Sequence, residues 1–175
     1  MVPFLSTPLL RSAAVPFAAN GVLYGTWAAR IPEIQARCGL SEAQLGLALL
    51  GMAVGLVAAA SVAGRQVARR GALPVTRAAL AAFAVAVVGP GLATGLWSLA
   101  GVLVGVGLTS GLLDVAMNAW AADVEAETGR PILGACHGMF SLGGMVGAGL
   151  GALAAAASVP LAAHRRAPDP QESRP

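Results

Sequence analysis

The sequence predicts an all-α membrane protein of about five transmembrane helices, and three observations predict it. Hydrophobic residues make up 57% of the 175 positions and charged residues only 11%, with a mean hydropathy of +0.74. Soluble domains carry roughly 25% charged residues, so this composition belongs to a chain that is solvated by lipid. The apolar residues also fall in five segments near the length of one crossing, about 20 residues each. The 23 glycines recur inside those segments at spacings that let helices approach closely.

The five candidate spans are Ala13 to Ala29, Leu45 to Ala63, Val75 to Thr94, Leu96 to Ala121 and Ile132 to Val159. A single Arg11 before the first run resembles a secretory signal, but four more apolar segments follow, so it reads as a first span. Between the first two spans Pro32 interrupts the helix, and Ser41 with Gln44 has the form of a capping box that starts the next one. The second connection, Gly64 to Arg77, holds Arg65, Arg69, Arg70 and Arg77 and no acid. The positive-inside rule makes it cytoplasmic, which puts residues 1–12 inside as a cytoplasmic N-terminus. The third connection, Gly89 to Gly95, is uncharged and tight. The fourth carries Asp123, Glu125 and Glu127 against Arg130. Residues 13–159 then form the helical bundle and residues 160–175 a polar, disordered tail. No sixth apolar run follows, which leads us to expect the N-terminal part of a longer parent.

Other classes fit poorly. The net charge is +3 and every cationic residue is Arg, in short loop positions with no long run, which argues against nucleic acid. Cys38 and Cys136 form no metal-type spacing, and neither a cofactor nor a metal site is expected. There is no Ser or Cys nucleophile with a base at helical spacing, so the chain does not read as an enzyme.

Polar residues inside the spans carry the functional reading. Gly107, Gly111, Asp114 and Asn118 share a helical stripe about 60° wide. An ionisable group facing hydrocarbon costs several kcal/mol, so that stripe should face protein or water. Asp114 is then a cation or proton site, or a tether to an Arg of the second connection. Asn20, Tyr24 and Trp27 share one face of the first span, beside the small-xxx-small pair Gly21 and Gly25. His137, Ser141, Gly144 and Ala148 share a face of the fifth, flanked by Gly143, Gly147 and Gly151.

Three segments resemble the major facilitator superfamily, in its branch of fucose-permease-like and YbjJ-type inner-membrane transporters. They are FAANGVLYGTWAARIPEIQARCGLSEAQLG, the loop GRQVARRG, and DVAMNAW followed by GRPILGACHGMFSLGGMVGAGLG, which together cover Pro16 to about Ala157. In the loop motif Gly64, Arg69 and Gly71 match, while Ala68 stands where the usual Asp would be and Ala72 and Leu73 replace the following basic pair. The resemblance implies a secondary transporter in the inner membrane, with twelve helices in two halves, moving a small solute such as a sugar together with protons. It implies that Asn20, Tyr24, Trp27, Asp114, Asn118, His137 and Ser141 line the solute cavity, with Asp114 the proton-linked acid. The partners it implies are the lipid bilayer, the solute and the missing C-terminal half. The other reading open to the residues is a helix-packing or assembly protein without transport activity.

Overall fold

The computed structural model describes the backbone of residues 7–164 and the side chains of residues 7–157. Five long helices and one short one follow each other: α1 (Pro8–Ala28), α2 (Ile31–Arg37), α3 (Glu42–Arg70), α4 (Ala72–Ala86), α5 (Leu96–Thr128) and α6 (Leu133–His164), with a 3-10 turn at Gly89–Leu92. Helix α1 therefore begins five residues before the expected span, because Thr7 accepts from Leu10 N and Pro8 occupies the first turn, where a missing N–H costs nothing. The backbone of α6 continues to His164, past the expected start of the tail at residue 160; the rest of that tail, like the first half of the expected N-terminal segment, lies outside the described residues.

The connections are shorter than the sequence implies. Ser41 and Gln44 form the expected capping box, with Ser41 N donating to Gln44 Oε1 at 2.9 Å and Gln44 N to Ser41 Oγ at 3.3 Å. Residues 31–37, expected as loop, form α2, and Pro32 begins that helix rather than merely ending the one before. The arginine-rich connection is a correction: Gly64, Arg65, Arg69 and Arg70 belong to the last turns of α3, Arg77 lies inside α4, and a single residue, Gly71 at φ +82°, makes the turn. That positive φ suits glycine and disfavours any side chain. The acidic connection shrinks in the same way, since α5 continues through Asp123, Glu125 and Glu127 to Thr128 and closes on a left-handed Gly129.

Two helix pairs build the bundle, and both run parallel. Gly21 and Gly25 of α1 lie against the backbone of Phe140 and Gly144 of α6, while Gly143, Gly147 and Gly151 lie against Ala18, Val22 and Thr26. Residue numbers rise together along this seam, so the two helices point the same way. Gly51 and Gly55 of α3 meet Ala100 and Val104 of α5, and Gly107 and Gly111 of α5 meet Met52, Leu56 and Ala59. Cα-to-backbone approach of this kind is how helices associate without a hydrophobic drive between them. The pairs repeat a sequence pattern as well: Leu-Gly-x-x-Val-Gly occurs at 50–55 in α3 and at 142–147 in α6, each time as the partner of a helix with a Gly-xxx-Gly pair.

Among the described residues four helices are long and apolar enough to cross a membrane: Glu42–Arg70, Ala72–Leu92, Leu96–Thr128 and Leu133–Ala157. Helix α1 is missing from that set because Arg11, Asn20, Tyr24 and Trp27 lower its hydropathy. Five long helices are present as expected, and four of them meet the length and hydropathy of a crossing; α1, expected as the first span, lies parallel along α6. Helix α5 is the central one, touching α1, α3, α4 and α6, and its buried residues Leu99, Leu103, Val106, Leu113, Met117 and Val124 run its whole length. The exposed surface is apolar, with Val54, Val57, Val85, Met145 and Leu153 all more than 60% exposed, as lipid contact requires.

The connections sort to two ends. At one end α2 is tied to the 3-10 turn, Arg37 Nη2 donating to Pro90 O at 3.0 Å and Cys38 Sγ to Ala93 O at 3.4 Å. Cys38 is therefore at the opposite end of the bundle from Cys136 in the first turn of α6, and both are free thiols. At the other end Trp120 Nε1 donates to Ser12 Oγ at 3.2 Å, joining α5 to α1. There Glu125 also accepts from Ile132 N and, at 2.9 Å, Leu133 N, so a carboxylate caps the start of α6. Replacing Glu125 by Gln removes the charge but keeps one acceptor. We expect it to lower unfolding stability by about 1 kcal/mol, and a thermal midpoint equal to wild type would show that the cap contributes nothing.

Candidate functional site

An open cavity of about 300 Å³ lies where α1, α3, α5 and α6 come together. It is lined by Asn20 and Tyr24 of α1, Leu56 of α3, Ser110, Asp114 and Met117 of α5, and His137 and Phe140 of α6. The two glycine seams put it there. Because α1 sits close on α6 and α3 close on α5, the polar stripes adjoining those seams turn toward one another rather than toward lipid.

Asn20 is 3% exposed; its Nδ2 reaches only the thioether of Met117, at 3.8 Å, and its Oδ1 has no hydrogen-bond partner. Tyr24 packs its ring on Phe83 at 5.1 Å between centroids and edge-on to Phe140 at 6.2 Å, and lies within electrostatic reach of Ser110 and Asp114. Asp114 is exposed on the cavity side of α5. Asn118, one turn on, donates from Nδ2 to Asp114 O at 2.8 Å and to Asp114 Oδ1 at 3.3 Å. No cation pairs with Asp114 among the described residues; the ion pair they contain, Arg30 with Glu33 at 2.9 Å, belongs to the α1–α2 end. The tether from Asp114 to an Arg of the second connection is therefore absent among them. His137 lies on the rim with its ring edge-on to Phe17 at 5.3 Å, and Ser141 Oγ returns to His137 O at 3.1 Å.

Of the seven residues expected to line a cavity, the fold thus brings together Asn20, Tyr24, Asp114 and His137. Asn118 and Ser141 stand next to them, held by Asp114 and by the His137 carbonyl. Trp27 does not join them. It lies seven residues beyond Asn20 in a separate recess of about 380 Å³ with Leu23, Arg30, Glu33, Arg37 and Val88, where its buried Nε1 has no acceptor. Of the loop-motif residues, Gly64 and Arg69 are exposed on α3 away from this cavity, and Gly71 serves the turn. Ser110 and Met117 were not anticipated, although they lie four residues before and three after Asp114 on its own helical face. Phe140 stands three residues after His137 on α6 and carries the same signal, whereas Leu56, on α3, carries none. No three His, Cys, Asp or Glu residues converge as a metal site among the described residues.

Fold and composition define a multi-pass helical membrane protein. Its relatives make the class more specific, because the chain is similar over most of its length to part of several transporters. It is 35% identical over 154 residues to the uncharacterised transporter y4wD of Sinorhizobium fredii, an alignment that covers 88% of this chain and 41% of that protein. It is 36% identical over 138 residues to an uncharacterised MFS-type transporter of Yersinia pestis, covering 79% of this chain and 36% of the relative. The membrane protein MosC of Rhizobium meliloti is 32% identical over 147 residues, with 79% and 34% covered. The chain therefore spans between about a third and two fifths of the length of these curated relatives. No protein-family model and no solved structure matches it.

Proposed function

We propose that this chain forms one wall of the solute pathway of a major-facilitator-type secondary transporter, of the fucose-permease-like branch, that moves a small polar solute of sugar size together with protons. The observation that carries the reading is the cavity itself: three helices deliver Asn20, Tyr24, Asp114 and His137 to one open concavity inside an apolar bundle, and its carboxylate has no counterion among the described residues. Intramembrane ionisable groups that face a cavity are costly and are kept for ion or solute pathways. In this reading Asp114 is the group that takes up and releases the proton, Asn20, Tyr24, Asn118, His137 and Ser141 contact solute, and a second half supplies the opposite wall against which this one rocks. The arginine-bearing end, with Arg65, Arg69, Arg70 and Arg77, faces the cytoplasm.

The alternative, a helix-packing protein, would hold its glycine faces out for a partner. Here Gly21, Gly25, Gly143, Gly147 and Gly151 are used between α1 and α6, and Gly51, Gly55, Gly107 and Gly111 between α3 and α5. The seams are occupied inside the chain, which favours the pathway reading.

Single cysteines test it, placed in a background with Cys38 and Cys136 replaced by Ala. In native membranes Ser141→Cys should react with a water-soluble methanethiosulfonate reagent at least tenfold faster than Val146→Cys. Val146 is also exposed but lies about 140° around α6 from Ser141. Equal and slow reaction at both positions would place the Ser141 face in lipid and end the proposal.

A further inference from the structure

We infer that the solute held by this wall bears an ammonium group. The inference rests on the pathway reading above and adds the charge of the solute to it. Asp114 is the sole acidic residue between Glu42 and Asp123, and it opens onto the cavity without a cationic partner among the described residues. No Arg lines the cavity and the chain contains no Lys, so apart from the imidazole of His137 on the rim this wall places no cationic side chain to receive a phosphate or carboxylate. Two rings, Tyr24 and Phe140, stand in the same lining 6.2 Å apart, and aromatic faces attract cations. The Oδ1 of Asn20, buried just beneath the same lining, has no donor and is a further unpaired acceptor beside it. A carboxylate, two rings and an orphaned carbonyl are all complementary to an N–H-bearing cation. A neutral polyol would use the acceptors but leave the charge of Asp114 unmatched, and an anion would be repelled by it. Asn118 fixes the carboxylate by donating to one oxygen, Oδ1, and so leaves Oδ2 for the ligand.

The test uses the whole chain purified in detergent, with thermal unfolding followed in the presence of glucosamine or glucose at matched ionic strength. A ligand that binds the folded state raises the midpoint by mass action. Glucosamine should stabilise with an apparent affinity at least tenfold above that of glucose. Asp114→Asn should erase the difference and Asp114→Glu should keep it. Equal shifts by the two sugars, or no shift by either, overturn the inference. Should Asp114→Asn fail to fold, the Ser141→Cys chain decides the same question without touching the acid. Relative to its rate with a free thiol in solution, a trimethylammonium methanethiosulfonate should modify it at least tenfold faster than the sulfonate analogue of similar size does on the same scale. Equal relative rates overturn the ammonium assignment while leaving the pathway reading in place, whereas failure of both reagents to react faster than at Val146→Cys overturns the pathway reading itself.

Discussion

Gly107→Ala should destabilise the protein by about 3 kcal/mol, while Gly105→Ala, two residues earlier on the same helix, should leave it unchanged or slightly more stable. A Cβ on Gly107 would sit 2.0 Å from Met52 O and within 2.8 Å of its carbonyl carbon, so α3 and α5 would have to part by about 1 Å or more. Backbone cannot swing aside as a side chain can, and moving one helix opens the seam along its length. At Gly105 a methyl group meets nothing within 4 Å, and there Ala gains the helix propensity that Gly lacks, up to about 1 kcal/mol. The second seam supplies an independent pair. Gly147→Ala would place its Cβ 2.1 Å from Val22 O, whereas Gly149→Ala meets open space. Unfolding of the four variants in detergent, followed by tryptophan fluorescence, should put Gly107→Ala and Gly147→Ala well below wild type and the other two at or above it. Four indistinguishable midpoints would mean that neither seam is close-packed.

How much of this could be read from the residues depends on what periodicity measures. Helical spacing gives the direction a side chain points around its axis. It therefore placed Asp114 beside Asn118 and Asn20 beside Tyr24, and both pairings stand in the fold. It does not give depth. Trp27 shares a stripe with Asn20 and Tyr24 yet lies about 10 Å beyond Asn20 along the helix, at the level of the Arg30–Glu33 pair. Capping chemistry was legible where it is local: Ser41 and Gln44 start α3 as their spacing implies. It was misleading where charge suggested a loop, because Arg65, Arg69 and Arg70 are compatible with helix and only Gly71 breaks it. The partner of each glycine face was not legible at all. Gly21 and Gly25 announce a close approach, but that α6, more than a hundred residues later, answers it in parallel is a tertiary fact. The cavity follows from that fact, which is why Ser110 and Phe140, each one turn from Asp114 or His137, could have been found by spacing and Leu56 of α3 could not.

Asn20→Leu should raise stability by about 1–2 kcal/mol and at the same time remove ligand-induced stabilisation. The carboxamide is 3% exposed, its only donor contact ends on a thioether at 3.8 Å, and its Oδ1 is unpaired. Thioether sulfur is a weak acceptor, so this side chain has lost its water and gained little in exchange. Leucine has the same branching at Cγ, is somewhat larger and brings no polar atom, and apolar replacements of poorly paired buried polar groups are often neutral or stabilising. Its neighbours Phe17, Gly21 and Met117 are already buried, so an apolar side chain meets an apolar surround. A fold that keeps a destabilising amide in that position holds it against its own stability, as residues that wait for a ligand do. The same unfolding assay decides it. A higher midpoint with loss of the glucosamine shift supports both halves of the argument. A midpoint lowered by a comparable amount would show that Asn20 is satisfied in the folded protein, and that its oxygen is structural rather than held open for solute.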